Sequence, residues 1–255
     1  MYDLPVMSHC EEMTMGHGDM NAGEAATLAG LRGIPNESED LIVMRDIMLA
    51  EATGCKLHIC HMSTAGSVEL LKQAKAKGLK VTGEAAPHHF TLTDEACMTY
   101  DGNTKMNPPL RSRKDVDAII EGLRTGIIDT ISTDHAPHHE DEKNCEFQKA
   151  MNGITGLESS LSLGITELVN KGVLSPMGLI EKMSTNSAKI LGIDKGDIEA
   201  GRVADLIIID PEETYIFDKN ESLSKSKNTP FHGMTMTGRN KVTFVDGKIV
   251  YNTLD

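Results

Sequence analysis

The chain has 255 residues, of which 39% are hydrophobic, enough to bury a core as one large domain or as one domain with a small companion. Its formal net charge of −13 and pI of about 5.2 exclude nucleic acid and an anionic membrane surface as the main partner. No run of about 18 or more apolar residues marks a membrane span. Trp is absent and aromatics make up only 4%, so a stacking site for bases is not expected.

The N-terminal stretch MYDLPVMSHCEE lacks the basic and then apolar pattern of a secretion signal. The five cysteines form no CxxC pair and read as reduced thiols of a cytoplasmic protein. LPVMSH predicts a strand over residues 4–9. Apolar spacing in DLIVMRDIMLAEATG predicts a helix over 40–54 that stops at Gly54. CKLHICHMS reads as a strand. TAGSVELLKQAKAKG reads as a helix with Thr64 as N-cap and Gly78 as C-cap. LKVTGEAAPHH is the next strand, RSRKDVDAIIEGLRTG a helix from Ser112 to Gly126, IIDTISTDHAP a strand, and GLESSLSLGITELVNKG a helix. Strands alternating with helices of this length predict βαβ units and a parallel sheet, an α/β fold.

Beyond about Leu191 the texture changes. KGDIEAGRVADLIIID leads through turns into an Ile-rich strand, and KVTFVDGKIVYN predicts a hairpin around Asp246 and Gly247. DKNESLSKSKNTP is expected to be a surface loop. The expected organisation is an α/β part over residues 1–191 and a small β region over 192–255.

The predicted strands end in His9, in His61, in His88 and His89, and in Asp134. In βα barrels the active site is built at the C-terminal ends of the strands. His58 and His61 lie an odd number of residues apart, so a regular strand sends them to opposite faces. His61 is nearer the strand end and is taken as the inward one, leaving His58 to face the outer helices. His9, His61 and Asp134 on three strand ends suit a borderline metal such as Zn²⁺, which accepts His nitrogen and carboxylate oxygen. Asp134 could ligate the metal or accept a proton from the water it activates, and both roles serve hydrolysis. His138, in a loop stiffened by Pro137, is placed to bind an anionic substrate, while His135 and His139 read as support or surface. In KMNPPLR the prolines stiffen the segment that carries Asn107. An Asn side chain can donate and accept to a cyclic amide or a carboxylate. Arg111 is open between a role in the site and an exposed charge leading the next helix.

Together SHCEE, CHMSTAGSVELL, EAAPHHF, KMNPPLR and TDHAPHHEDEK resemble the dihydroorotases of the metal-dependent amidohydrolase superfamily, and EFQKAMNGITGLES and NTPFHG follow in the same order. TDHAP is shared by cyclic amidohydrolases in general; MNPPLR with PHH points to dihydroorotase. The resemblance implies a (β/α)8 TIM-type barrel with a flanking β-sandwich. It implies reversible interconversion of L-dihydroorotate and N-carbamoyl-L-aspartate in pyrimidine synthesis. His9 and His61 match ligands of the second zinc. Asp134 matches the aspartate that ligates the first zinc and serves as general base and acid. Asn107 and His138 match substrate-binding positions, and Gly153 keeps a backbone contact where the family often has Phe-Gly and this chain has Asn152-Gly153. A homo-oligomer or association with aspartate transcarbamoylase fits the same resemblance.

The family's His-x-His and the Arg that follows it occur nowhere in this chain, and its bridging Asp or carboxylated Lys is not matched either. The expectation is a C-terminal portion of such an enzyme. It would comprise about the last four βα units of the barrel and part of a composite β-sandwich, with little activity on its own unless a separate chain completes it. Other expectations to be weighed are an allantoinase or hydantoinase, or a non-catalytic scaffold of the dihydroorotase type.

Overall fold

The structure, a computed structural model, describes residues 4–254; the first three residues of the N-terminal stretch and the last residue of the C-terminal region lie outside the described part. β1 (Val6–Ser8) is followed by two elements too short for periodicity to announce, β2 (Met20–Asn21) and α1 (Glu24–Ala29), and by β3 (Gly33–Ile34), which pairs with β2 in parallel. α2 (Glu37–Thr53) buries Ile42, Val43, Ile47 and Ala50 and ends where Gly54 takes φ 69. β4 (Leu57–Ile59) leads to α3 (Ala65–Ala76), whose N-cap Thr64 accepts from the Ser67 amide as its sequence predicts. β5 (Val81–Ala85) runs into α4 (Pro87–Thr91). α5 (Arg113–Thr125) buries Val116, Ile119 and Leu123 on one stripe and stops at Gly126. β6 (Thr130–Ile131) and α6 (Glu140–Lys143) follow, then α7 (Ser160–Gly164), which continues as a wider π turn over Ile165–Val169. α8 (Pro176–Ile180) and α9 (Asn186–Leu191) close this part.

Strands β1, β4, β5 and β6 lie side by side in that order, all parallel. Leu57, Ile59, Val81 and Ala85 point from one face into a core shared with Val43 and Ile47 of α2, Leu71 of α3, and Ile119 and Leu123 of α5. Each buried Leu, Ile or Val side chain there contributes about 1.5–3 kcal/mol. Gly83 is needed on that face: a Cβ would stand 2.6 Å from Met62 Sδ and 2.7 Å from Leu71 Cδ2. The remaining chain forms an antiparallel sheet of β7 (Leu206–Ile216), β8 (Thr235–Val245) and β9 (Lys248–Asn252). The predicted Asp246-Gly247 turn is present, with φ 51 and 72 at the two residues. Positive φ at both positions matches the twist that a two-residue hairpin requires. Among the described residues no helix is long and apolar enough to cross a membrane.

The expectation for His58 is overturned. Its strand neighbours Leu57 and Ile59 take the helix side, so His58 projects from the opposite face, where it is buried against Thr82 and Glu84. The alternation argument failed because β4 ends at Ile59. His61 lies beyond it in a left-handed bend, φ 33, so strand parity does not reach it.

Arg111, left open between a site role and an exposed charge, is buried, 2% accessible. Its Nε donates to Ser63 Oγ at 3.0 Å, its Nη1 to Asn21 Oδ1 at 3.1 Å and to the Ile34 carbonyl at 3.0 Å. Its Nη2 stands 3.8 Å from Glu39 Oε2. Burial pulls the guanidinium below its ordinary value, and the Glu39 charge opposes that pull. Removing one partner leaves the other charge buried and unpaired. Arg111→Met is therefore expected to cost about 3–5 kcal/mol in urea unfolding. Arg111→Met combined with Glu39→Gln should recover part of that loss; additive losses in the double variant would show that the two charges do not depend on each other.

Candidate functional site

The strands are short, and the chemistry sits in the bends just past their ends. His9 follows β1 and His61 follows β4, and their rings meet edge to face with His9 Nδ1 3.0 Å from His61 Nε2. His9 Nε2 stands 3.0 Å from Glu11 Oε2, and Asn107 Nδ2 donates to the same oxygen at 2.8 Å. A carboxylate only accepts, so His9 carries its proton on Nε2. In the neutral pair His61 Nε2–H then donates to His9 Nδ1. The result is a continuous run, His61 to His9 to Glu11 to Asn107. It leaves His61 Nδ1 buried without a partner.

His61 is held from behind. Its amide donates to Glu84 Oε1 at 3.3 Å, and the Met62 amide donates to the Glu84 carbonyl at 2.9 Å. Glu84 Oε2 takes the Nε2 proton of His58 at 3.1 Å, while His58 Nδ1 faces Thr82 Oγ1 at 2.8 Å. On the other side of the loop the Glu39 carboxylate accepts from the Ser63 amide at 2.9 Å and the Thr64 amide at 3.3 Å.

Asp134 follows β6 with φ 48. His61 and Asp134 are thus non-glycine residues in the left-handed region at two strand ends, and such strain persists only where surrounding bonds over-determine it. The Asp134 charge is felt at Cys60, whose thiol is pushed up to about 12, first by burial, then by Glu84 and by Asp134. The structure brings His9 and His61 together but does not draw Asp134 into contact with them. Among the described residues no three of His, Cys, Asp and Glu stand in a metal-holding group.

A second cluster holds the remaining predicted residues. His138 Nε2 donates to the Asn152 carbonyl at 2.8 Å, and its Nδ1 stands 3.7 Å from Glu142 Oε2. The His138 amide donates to Asn228 Oδ1 at 3.2 Å, and Asn228 Nδ2 donates to the Gly153 carbonyl at 3.2 Å. Gly153 has φ 107, and a Cβ there would lie 2.6 Å from the Ala136 Cβ, so only glycine fits. His135 is supporting: its Nδ1 accepts from the Gly156 amide at 3.1 Å. His139 is exposed and caps α6.

Sequence reasoning missed Glu11, Glu84 and Asn228. Glu11 and Glu84 stand within quoted motifs but look like solvated charges. Asn228 was assigned to a surface loop and is buried; its place in NTPFHG was the available signal. Two cavities, about 690 and 660 Å³, lie elsewhere, one beside Gly23, Asp94 and Asp115 and one beside Leu161, Tyr215 and Tyr251. Their position does not displace the site, because none of the six predicted residues lines either one.

Whether these residues suit a zinc ion can be judged from the histidine pair. Two nitrogens of a tetrahedral zinc site stand about 3.3 Å apart, given Zn–N bonds of ~2.0–2.1 Å. The observed 3.0 Å between the rings is close to that edge, and His61 offers a second, unpartnered ring nitrogen. The pair fits as two nitrogen donors of such a site, with further ligands still required.

His88 and His89 are buried beside His61, and burial holds His88 well below its ordinary value and His89 at about 3. The unfolded chain binds the His89 proton near pH 6.5 and the folded chain does not until about pH 3. Stability should therefore fall as pH drops from 6.5 toward 3. Urea midpoints measured across that window should decline less steeply in His89→Gln, which can still donate to the Pro108 carbonyl. Equal slopes would show that His89 does not titrate as described.

A model of the amidohydrolase family matches residues 1–250. The dihydroorotase of Acetivibrio thermocellus is 51% identical over 251 residues, covering 98% of this chain and 59% of that protein. The dihydroorotase of Geobacter metallireducens is 52% identical over 249 residues, covering 97% and 58%. Among solved structures, L-hydantoinase (dihydropyrimidinase) from Arthrobacter aurescens superposes with a TM-score of 0.89 at 31% identity, over 98% of this chain and 57% of that one. This chain thus spans under three fifths of the length of these curated relatives.

Proposed function

Because this chain belongs to the amidohydrolase family, we propose that it carries part of a dihydroorotase-type site, which opens and closes the ring between L-dihydroorotate and N-carbamoyl-L-aspartate in cytoplasmic pyrimidine synthesis. The observation that carries the reading is the hydrogen-bonded run from His61 and His9 through Glu11 to Asn107. It joins metal-type nitrogens to an amide-binding side chain at the ends of parallel strands. Identity of about half to dihydroorotases over nearly the whole chain supports the substrate.

In this reading β1, β4, β5 and β6 are the last four strands of a (β/α)8 barrel within residues 1–191, and β7 to β9 within 192–255 are part of a composite β-sandwich. His9 and His61 would hold one zinc, and Asp134 would serve the other. When bound, the metal supplies Lewis acidity, polarising the ring amide carbonyl and lowering the pKa of water to about 7. Asp134 takes the proton from the attacking water and returns it to the ring nitrogen as the C–N bond breaks. Asn107 offers its amide to the ring. His138 and Gly153 are the remaining substrate-side residues in this reading.

A hydantoinase-type ring is the second reading, favoured by the TM-score of 0.89 to L-hydantoinase. The two separate in a substrate panel on the purified chain with Zn²⁺. L-Dihydroorotate should bind and hydantoins should not; the reverse preference overturns the dihydroorotase reading. Zinc titrated by calorimetry should bind at least ~10-fold more weakly to His61→Ala. Because this chain contributes two ring nitrogens, dihydroorotate turnover by the chain alone should be far below that of a full-length relative; comparable turnover would overturn the partial-site reading.

A further inference from the structure

The two clusters of the site are joined by a residue that the catalytic reading does not use. Lys143, in the last turn of α6, is 5% accessible. Its Nζ donates to the Met151 carbonyl at 2.6 Å, the Gly153 carbonyl at 2.9 Å and the Lys105 carbonyl at 3.4 Å. An ammonium has three protons, and each has one carbonyl here. The same segments are joined a second time, because the Gly153 amide donates to the Lys105 carbonyl at 3.0 Å. The backbone of Lys143 is held in turn by close packing: a Cβ on Gly102 would lie 2.2 Å from the Lys143 carbonyl oxygen. Burial lowers the amine to about 8, with Asp101 acting in the opposite direction.

We propose that Lys143 is a positioning residue whose ammonium ties the segment carrying Asn107 to the segment carrying Gly153 and so sets the spacing of the substrate contacts. Lys105 stands two residues before Asn107. Gly153 is bonded directly, and His138 joins through the Asn152 carbonyl and Asn228. Lys143 touches no reacting atom; it acts through the three contacts it spaces. Its positive charge also lies next to the backbone assigned to an anionic substrate, which suits a chain whose formal net charge is −13.

The proposal rests on reading Asn107, His138 and Gly153 as substrate contacts, so its test has two arms. In the first, hydrogen exchange is followed by mass spectrometry in the wild-type chain and in Lys143→Met. Exchange in peptides spanning 103–109 and 150–155 should rise at least ~10-fold, while peptides of β5 stay unchanged. Retained protection in both segments overturns the proposal. In the second, L-dihydroorotate is titrated into the zinc-loaded chain. Affinity should fall ~10-fold or more in Lys143→Met, the scale expected of a misplaced contact, and partly return in Lys143→Gln, which keeps a donor. Unchanged affinity with loosened loops also overturns it. If the wild-type chain binds no dihydroorotate, the dihydroorotase reading fails and the exchange arm alone decides on Lys143. If Lys143→Met does not fold, Lys143→Gln carries both measurements.

Discussion

The Glu39 carboxylate and the Arg111 guanidinium occupy one buried point, and five segments are drawn to it. Glu39 comes from α2 and accepts the amides of Ser63 and Thr64, directly after His61. Arg111 closes the loop that holds Asn107 and reaches Asn21 of β2 and the Ile34 carbonyl of β3. Neither charge could be buried alone, since an unpaired ion in a low-dielectric interior costs several kcal/mol. Each therefore requires the other, and together they require the segments to converge. The position of His61 relative to Asn107 follows from that requirement.

Around this point the fold does two different things. On the helix side, close packing decides: Gly83 leaves room for Met62 and Leu71, and aliphatic side chains fill the rest. On the opposite face polar side chains form relays instead of a hydrophobic layer. Thr82, His58 and Glu84 hand their hydrogen bonds on to the amide of His61. Past the end of β4 the Cys60 and Met62 amides still reach the Ser8 and Glu84 carbonyls, while side-chain carboxylates accept from the amides of His61, Ser63 and Thr64. The left-handed bend at His61 is held by the Glu84 carboxylate, and Asp134 sits in a second such bend at the end of β6. The unpartnered nitrogens of His61, His88 and His89 lie in the same region, which marks it as a place where hydrogen-bonding capacity remains to be met.

Much of this was legible in the residue order. Gly54 and Gly126 stop their helices, Thr64 caps α3, and Asp246-Gly247 turns the hairpin. These are local effects of backbone freedom and of side chains bonding within one turn. His9, His61, Asn107, Asp134, His138 and Gly153 were all identified as candidates from their place at strand ends or in motifs. Three kinds of feature were not legible. β2, α1 and β3 are too short to show a period. The orientation of His58 depended on where β4 ends, which hydrogen bonding between strands decides. The burial of Arg111 and Asn228 depended on partners that their side chains reach 48 or more and 75 or more residues away.

By itself the sequence determined the alternation of strands and helices, the turns, and the residue types able to carry hydrolytic chemistry, because each of these is set by neighbours a few positions apart. Tertiary structure alone decided which of those residues meet. It placed His9 against His61 with Glu11 and Asn107 behind them, gathered His138 and Gly153 around Asn228, and set Lys143 between the two groups. The reason is that buried carboxylates, ammonium groups and guanidinium groups must each find partners when water is removed. Those partners come from distant segments, so their identity cannot be read from any single stretch of the chain.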